Sequence, residues 1–467
     1  MKKQLEFDLC VLGAGSAGFA GACMAREMGK TVALVEGTGP LAGLCILRGC
    51  MPSKTLLRSA EIAHTMREGS KLGIRAQSVQ YDVPYIIERK RRIIGDFADY
   101  RVKAIESFPL FQGATHFVSD RELAVDGQTI AARKFLIATG SVINDPVVPG
   151  LAETGYIDSD ALLDLQQLPG SIIVLGGGAT ACELAQYLVR LGVKTTMLQR
   201  SGHILSYEDA DIGSALQKSF ENDGMEVYTN VRLLRAEKHS SGKRVVAELS
   251  GEEVSFDAEE IFFALGRRPN VDGFLFEEAG VTYDRTGVKV DEHFQTSNPD
   301  IYAAGDVTGM WELVHVAVYG GQLAAQNAFA LRRKTAQLDL QMARAVFTDP
   351  QVAIAGLTET QCLAKGIEYE KASFPFDDLG KAITAELTQG FIKMLAARDG
   401  RILGVSIVGA EAGDLIHEAI ALIYFKASVR DVLEMPHLHP TLAEIITYPA
   451  EELSERLKHQ MHVLVTP

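Results

Sequence analysis

Phe7-Asp8-Leu9-Cys10-Val11-Leu12-Gly13-Ala14-Gly15-Ser16-Ala17-Gly18 opens as a short apolar strand and stops on a glycine turn. A helical pattern follows from Phe19 to Met28, Gly29 stands at its C-cap, and a second strand, Thr31–Val35, leads into Glu36. Each residue type has a physical task. Gly13 permits the tight turn, Gly15 lets the backbone approach a pyrophosphate, and Gly18 allows close helix–strand packing. The helix N-terminus supplies unpaired N–H groups and the positive end of its dipole, and Glu36 is placed to accept from ribose hydroxyls. Strand, glycine turn, helix, strand and acid in this order predict a dinucleotide-binding unit.

The order recurs. Ser171–Leu175 is an apolar strand followed by Gly176-Gly177-Gly178-Ala179-Thr180-Ala181, a helix to Leu191, Gly192 as its cap, and a strand over Val193–Leu198. Glu36 lies 23 residues after Gly13, and Gln199 lies 23 residues after Gly176. Two such units imply two nucleotide cofactors, of which a flavin and a nicotinamide are the simplest pair. The second unit ends in Gln199-Arg200 rather than an acid. A carboxylate there would bond the 2′-hydroxyl of NAD, whereas Arg200 favours a 2′-phosphate, so NADP(H) is expected over NAD(H). Two further loops suit a nucleotide: Leu136–Gly140, which brings Thr139 and Gly140 to the end of an apolar strand, and Asp300–Ala304, which leads to Gly305-Asp306 and a helix from about His315 to Leu331.

Beyond Glu36 the chain reads Leu44-Cys45-Ile46-Leu47-Arg48-Gly49-Cys50-Met51-Pro52-Ser53-Lys54. Cys45 and Cys50 are one residue beyond an i,i+4 pair, so a distorted helical turn would bring the sulfurs within bonding reach. No second Cys/His cluster of metal-ligand spacing accompanies them, and no metal site is expected. A structural disulfide over so short a loop would constrain the unfolded chain little. A reversible dithiol beside the first nucleotide site is the reading that remains. The other cysteines, Cys10, Cys23, Cys182 and Cys362, read as small packed hydrophobes.

Past about residue 340 no nucleotide fingerprint appears. A hairpin over Gly390–Leu395 and Ile402–Val408 and helices over Asp414–Phe425 and Val429–Glu434 predict an α+β segment. It contains His437-Leu438-His439-Pro440-Thr441-Leu442-Ala443-Glu444. Dithiol chemistry requires a group that exchanges a proton near neutrality, which a histidine oriented by a carboxylate provides.

Totals set the remaining bounds. At roughly 100–200 residues per domain, 467 residues make about three domains. A net charge of −14 argues against nucleic-acid or polybasic membrane partners. Neither a signal peptide nor a run of ~18 apolar residues is evident, and a cytoplasmic protein is expected.

With these motifs the chain resembles the class I pyridine nucleotide–disulfide oxidoreductases, the family of dihydrolipoamide dehydrogenase, glutathione reductase and mercuric reductase. The resemblance implies an α/β fold with two Rossmann-like domains, for FAD and NAD(P), and a C-terminal α+β dimerisation domain. Expected boundaries are 1–150 for the first FAD part, 151–270 for NAD(P), 271–340 for the returning FAD part and 341–467 for dimerisation. It places FAD on Gly13, Gly15, Gly18, Glu36, Gly43, Lys54, Thr139, Gly140, Gly305 and Asp306. The nicotinamide nucleotide falls on Gly176, Gly178, Ala181 and Arg200, with Gly266 and Arg268 of Gly266-Arg267-Arg268-Pro269-Asn270 in a signature closing that domain. By the same resemblance Cys50 is the thiol nearest the flavin and Cys45 the interchange thiol. Lys54 and Glu183 form an ion pair near the flavin, and His439 is the base oriented by Glu444. That dyad serves the disulfide of the other subunit, so the active site is shared across a homodimer.

Ala42-Gly43-Leu44 stands where the family commonly has Gly-Gly-Thr, and Leu47-Arg48 replaces a small polar pattern between the cysteines. The expected function is dihydrolipoamide-dehydrogenase-like exchange with a small disulfide or dithiol. Alternatives are a mercuric-reductase-like metal-ion or quinone reductase, or a flavin-binding redox sensor that does not turn over. Mercuric reductases generally carry a C-terminal cysteine pair, and the last cysteine here is Cys362.

Overall fold

The computed structural model describes residues 5–75, 78–240, 242–338 and 343–465. Two compact units emerge. One is built from the chain up to Thr55, from Pro84–Asp145 and from Gly266–Leu338; the other from Leu56–Val83, Pro146–Leu265 and the chain after residue 338.

In the first unit, strand β1 (Leu5–Leu12), helix α1 (Ser16–Glu27) and strand β2 (Val32–Glu36) form the expected unit to within a few residues. β1 is parallel to β2 on one side and to Gln128–Ile137 on the other. The sheet runs Leu110–Gln112, β2, β1, Gln128–Ile137, Glu122–Val125, Thr115–Ser119, and Ile301–Ala303 adds in parallel to Gln128–Ile137. Burial on both faces explains the continuous apolar runs of β1 and β2. Leu9, Val11 and Leu34 enter one core, and Cys10, Leu12, Ala33 and Val35 the other.

Helix α1 lies against the helix Val314–Phe329 through small residues. A β-carbon on Gly321 would come within 2.0 Å of the Ala17 carbonyl oxygen, so the backbones can be this close only with glycine there. After β2 come two helices, α2 (Leu44–Arg48) and α3 (Cys50–Glu68), rather than one distorted turn. Gly49 makes the break, with φ −130° and ψ −117°, outside the helical region.

The second unit holds the repeat. A parallel sheet runs Glu226–Tyr228, Lys194–Leu198, Ser171–Leu175, Glu260–Phe263, Ile157–Asp158, with the helix Ala179–Arg190 following the second glycine turn. An antiparallel meander of Arg232–His239, Gly242–Leu249 and Glu252–Ala258 is inserted before the last central strand. The C-terminal part is an antiparallel sheet, Ala343–Val346, Gln351–Gly356, Ile402–Gly409, Phe391–Ala396, Glu370–Pro375, in which the predicted hairpin is the pair Phe391–Ala396 and Ile402–Gly409. Helices Ala412–Tyr424 and Val429–Glu434 stand where the apolar pattern put them. Ser428 and Asp431 close a capping box on the second.

Buried ion pairs join the nucleotide-binding and C-terminal parts of this unit. Glu208 meets Arg344 through both carboxylate oxygens. Lys393 is 2% exposed, and its Nζ lies 2.9 Å from carboxylate oxygens of Asp209, Asp211 and Glu359. Burial alone would pull the Lys393 ammonium down, but its three carboxylate partners outweigh that and hold it above the ordinary lysine value.

Candidate active site

The redox loop is built against the first glycine turn. Gly43 has φ +81°, and a β-carbon there would come within 2.8 Å of the Gly15 Cα. Two residues on, Cys45 lies in α2 and Cys50 starts α3. A β-carbon on Gly49 would meet the Cys45 Cα at 3.1 Å, so glycine lets the two turns approach.

Both cysteines are free thiols, and their side chains are hydrogen-bonded to each other. That bond, with burial and the adjacent Cys50 sulfur, pushes Cys45 far above the ordinary thiol value. The direction fits a pair in which Cys45 keeps its proton and donates it towards Cys50. Cys50 itself sits at the positive end of a 19-residue helix, where a thiolate is favoured. Cys10 and Cys182 are fully buried, and desolvation raises both thiols. Cys23 and Cys362 are raised by burial too. The loop pair stands apart from these four because each member has the other as a partner.

The first glycine turn fits FAD on its own geometry. A β-carbon on Gly13 would strike the Ala138 carbonyl at 2.2 Å, and one on Gly18 the Gly13 carbonyl at 1.8 Å. On Gly15 it would meet nothing within 4 Å. The middle position therefore faces open space, as a passing diphosphate requires, while the outer two are packed shut. Glu36 accepts from the Ala14 N–H at 2.6 Å and the Gly37 N–H at 3.1 Å, which fixes its carboxylate at the lip of the turn.

Asp306 and Gly305 follow the strand Ile301–Ala303, and a β-carbon on Gly305 would lie 3.0 Å from the Ala17 Cβ. This strand end thus reaches the start of α1. The Ser141 hydroxyl donates to Asp306 at 2.8 Å, and Arg267 donates to the Ser141 hydroxyl at 3.0 Å and carbonyl at 2.9 Å. Burial raises the Asp306 carboxyl, with Ser141 and Arg267 acting in the opposite sense. Thr139 and Asn270 exchange side chain-to-backbone bonds of 2.7 and 3.2 Å, and the Asn270 N–H donates to the Gly140 carbonyl at 2.9 Å. Gly266 and Arg268 belong to the same stretch, where Arg268 pairs with Asp272 at 2.8 Å.

The second glycine turn repeats the geometry of the first. A β-carbon on Gly176 would meet the Ala264 carbonyl at 2.6 Å, one on Gly178 nothing within 4 Å, and Ala181 is buried at the helix–sheet contact. Gln199 is buried and Arg200 exposed. The following loop folds back on the turn, with the Leu205 N–H donating to the Gly177 carbonyl at 2.7 Å.

Glu183 is buried on the helix Ala179–Arg190, where its carboxylate accepts from the Phe347 N–H at 2.9 Å. Lys54 is on α3 in the first unit. His439 Nδ1 and Glu444 Oε1 are 2.9 Å apart, and Glu444 also accepts from the Thr441 N–H at 2.7 Å. These two bonds, the backbone one first, hold the Glu444 carboxyl below the usual glutamate value. The His439 side chain is 79% exposed, so its free nitrogen points to solvent from a fixed ring. His437 instead bonds Glu418 at 2.9 Å.

Sequence reasoning passed over Ser141, Arg267, Glu208, Arg344 and Glu418. Only Arg267 had a local signal, as the neighbour of Arg268. Among the described residues, no helix is long and apolar enough to cross a membrane.

Comparison with known proteins agrees with this geometry. A family model described as pyridine nucleotide-disulphide oxidoreductase matches residues 7–321, and the corresponding dimerisation domain matches residues 342–450. A mercuric reductase of Staphylococcus aureus is 34% identical over 94% of this chain and 81% of its own length. A dihydrolipoyl dehydrogenase of Thermus scotoductus is 32% identical over 97% and 98%. Among solved structures, the HOCl-induced flavoprotein disulfide reductase RclA from Escherichia coli superposes with a TM-score of 0.84, at 24% identity, over 95% of this chain and 99% of that one, a likeness of fold. From its two nucleotide turns to its C-terminal dimerisation domain, the chain belongs to the pyridine nucleotide-disulphide oxidoreductase family, a family of FAD-dependent enzymes.

Proposed function

We propose that this enzyme uses NADPH to reduce a small disulfide, or runs the reverse oxidation of a dithiol, through Cys45 and Cys50. The observation that carries the reading is the redox loop itself: two hydrogen-bonded thiols on either side of Gly49, held through Gly43 against the first glycine turn. FAD would be held by Gly13, Gly15, Gly18, Gly43, Glu36, Thr139, Gly140, Gly305, Asp306 and Lys54. When bound, FAD carries two electrons between the nicotinamide and the cysteine pair. NADPH would lie on Gly176, Gly178 and Ala181, with Arg200 exposed to receive its 2′-phosphate and no carboxylate at position 199 to repel it.

In the reductive direction, Cys45 gives its proton to His439 of the partner subunit and attacks one sulfur of the substrate as a thiolate. The substrate S–S bond breaks, a mixed disulfide forms, and the released thiolate takes a proton from His439 of the partner subunit. Cys50 then attacks the Cys45 sulfur as a thiolate, the second substrate thiolate leaves and takes a proton from solvent, and the Cys45–Cys50 disulfide closes. One disulfide has gained two electrons and two protons. Glu444 supports the imidazolium form of His439 and fixes its ring.

The similarity to mercuric reductases favours a second reading, in which the same dithiol delivers electrons to a bound metal ion. A steady-state screen with NADPH and NADH against lipoamide, glutathione disulfide, Hg(II) and quinones separates the two. Turnover of a disulfide that is lost in Cys45→Ser supports exchange. Disulfide turnover that survives in Cys45→Ser overturns it, and Hg(II)-dependent NADPH oxidation without disulfide turnover supports the second reading instead.

A further inference from the structure

The residues between the two cysteines carry a charge that the exchange chemistry does not call for. Arg48 is the last residue of α2, three positions after Cys45, so the two share one face of that helix. Its side chain is exposed, while Cys45 is half-buried. From Gly37 to Ala60 the charged residues are Arg48, Lys54 and Arg58, with no acid among them, in a chain whose net charge is −14. The redox loop is thus a cationic stretch in an acidic protein, and the exposed Arg48 is its member on the short helix of the exchanging thiol.

We infer that Arg48 selects an anionic substrate, a disulfide or dithiol with a carboxylate or similar anion a short arm away from its sulfurs. This rests on the proposed role of Cys45 as the exchange thiol and names the class of molecule that meets it. Guanidinium pairs with carboxylate through a planar fork of N–H donors, so it orients the anion as well as attracting it. Because α2 is pinned through Gly43 and broken at Gly49, Arg48 and Cys45 keep a constant spacing. An anion held by Arg48 places the substrate sulfurs within reach of Cys45. A cation at the end of α2 would also complement the helix dipole, but in a helix of only five residues that effect is small.

Lipoate and lipoamide test the inference, since they share ring and alkyl arm and differ only in carboxylate against neutral amide. In Arg48→Gln, kcat/KM for lipoate is expected to fall about threefold to tenfold, as for a partly exposed ion pair, with lipoamide changed less than about twofold. Arg48→Lys should recover part of the loss, and the lipoate advantage of the wild type should shrink as salt is raised.

A second readout needs no turnover. In the reduced protein, the alkylation rate of Cys45 by iodoacetate relative to iodoacetamide should drop in Arg48→Gln by a similar factor. Equal losses on both disulfides, or an unchanged alkylation ratio, would overturn the inference while leaving disulfide exchange intact. Wild-type protein that turns over neither of these nor glutathione disulfide would overturn the exchange reading itself, and the alkylation ratio would then decide alone whether Arg48 draws anions to Cys45.

Discussion

Gly43 rests on Gly15 so closely that a β-carbon on the first would come within 2.8 Å of the Cα of the second. The loop that carries the thiols and the turn that fits the flavin diphosphate therefore form one packed object. Gly43→Ala adds both a clash and a side chain at φ +81°, a strain of about 1–3 kcal/mol before any clash. The purified variant should show a reduced ratio of flavin to protein absorbance. Gly29→Ala is the matched control: φ is +73°, but a β-carbon meets nothing within 4 Å, so it should lose some stability and keep its flavin.

The asymmetry of the thiol pair predicts distinct spectra. If Cys50 is the thiolate beside the flavin, two-electron reduction gives a long-wavelength band in the wild type. Cys45→Ser, which has no disulfide to reduce, should show such a band while its flavin is still oxidised, and Cys50→Ser should lack it. A band that survives in Cys50→Ser and vanishes in Cys45→Ser would reverse the assignment.

At the second nucleotide turn, Arg200→Gln should lower kcat/KM for NADPH by about tenfold or more, the value of a charge-assisted hydrogen bond. NADH, which lacks the phosphate, should change little. Stopped-flow reduction of the flavin by each nucleotide measures both. Wild-type protein that prefers NADH would remove Arg200 from the site.

His439→Ala should reduce disulfide turnover by about 10²–10⁴-fold, the usual weight of a general acid–base group. Glu444→Gln should have a smaller effect and shift the pH–rate profile. Because the Glu444 carboxyl is held below its ordinary value, its contribution to stability is fully present above about pH 4.3 and is lost as pH falls through the lower folded value. Acid unfolding followed by circular dichroism should therefore begin at higher pH in the wild type than in Glu444→Gln, once the two are compared at equal neutral stability.

Lys393→Met leaves Asp209, Asp211 and Glu359 facing one another without their cation. Breaking a buried ion cluster from one side costs about 3–5 kcal/mol, readable by denaturant unfolding at pH 7. Despite their burial, Asp209 and Glu359 are held below ordinary carboxylate values, by Lys393 and other partners. Their contribution is present above about pH 4.5 and lost as pH falls. The deficit of the variant should accordingly narrow on acidification towards about pH 4, where the repelling carboxylates take up protons.

What could be read from sequence was local. Ser171–Leu175 and Val429–Glu434 were legible to the residue, the first because Gly176 ends an apolar run and the second because Ser428 caps it. His439 and Glu444 stand five residues apart, close enough for a motif to show them. The spacing of Cys45 and Cys50 predicts one distorted turn, whereas the backbone at Gly49 divides the redox loop into two helices. Ser141–Asp306, Glu208–Arg344 and Asp209–Lys393 join residues more than a hundred positions apart. No periodicity marks such partners, since each is an ordinary polar residue in its own neighbourhood. Lys393 in particular stands as a lone charge in an apolar strand, and it is almost wholly buried.

The two ion clusters bear on how this enzyme can be rebuilt. Shortly after Arg200, the chain is riveted by Glu208 and Asp209 to residues that belong to the C-terminal sheet. A chimera that imports the second nucleotide-binding segment from a relative would take Glu208 from Arg344, and Asp209 and Asp211 from Lys393, unless the donor supplies acids at these places. The second nucleotide-binding segment is therefore inherited together with the sheet behind it, and an exchange of one calls for compensating changes in the other.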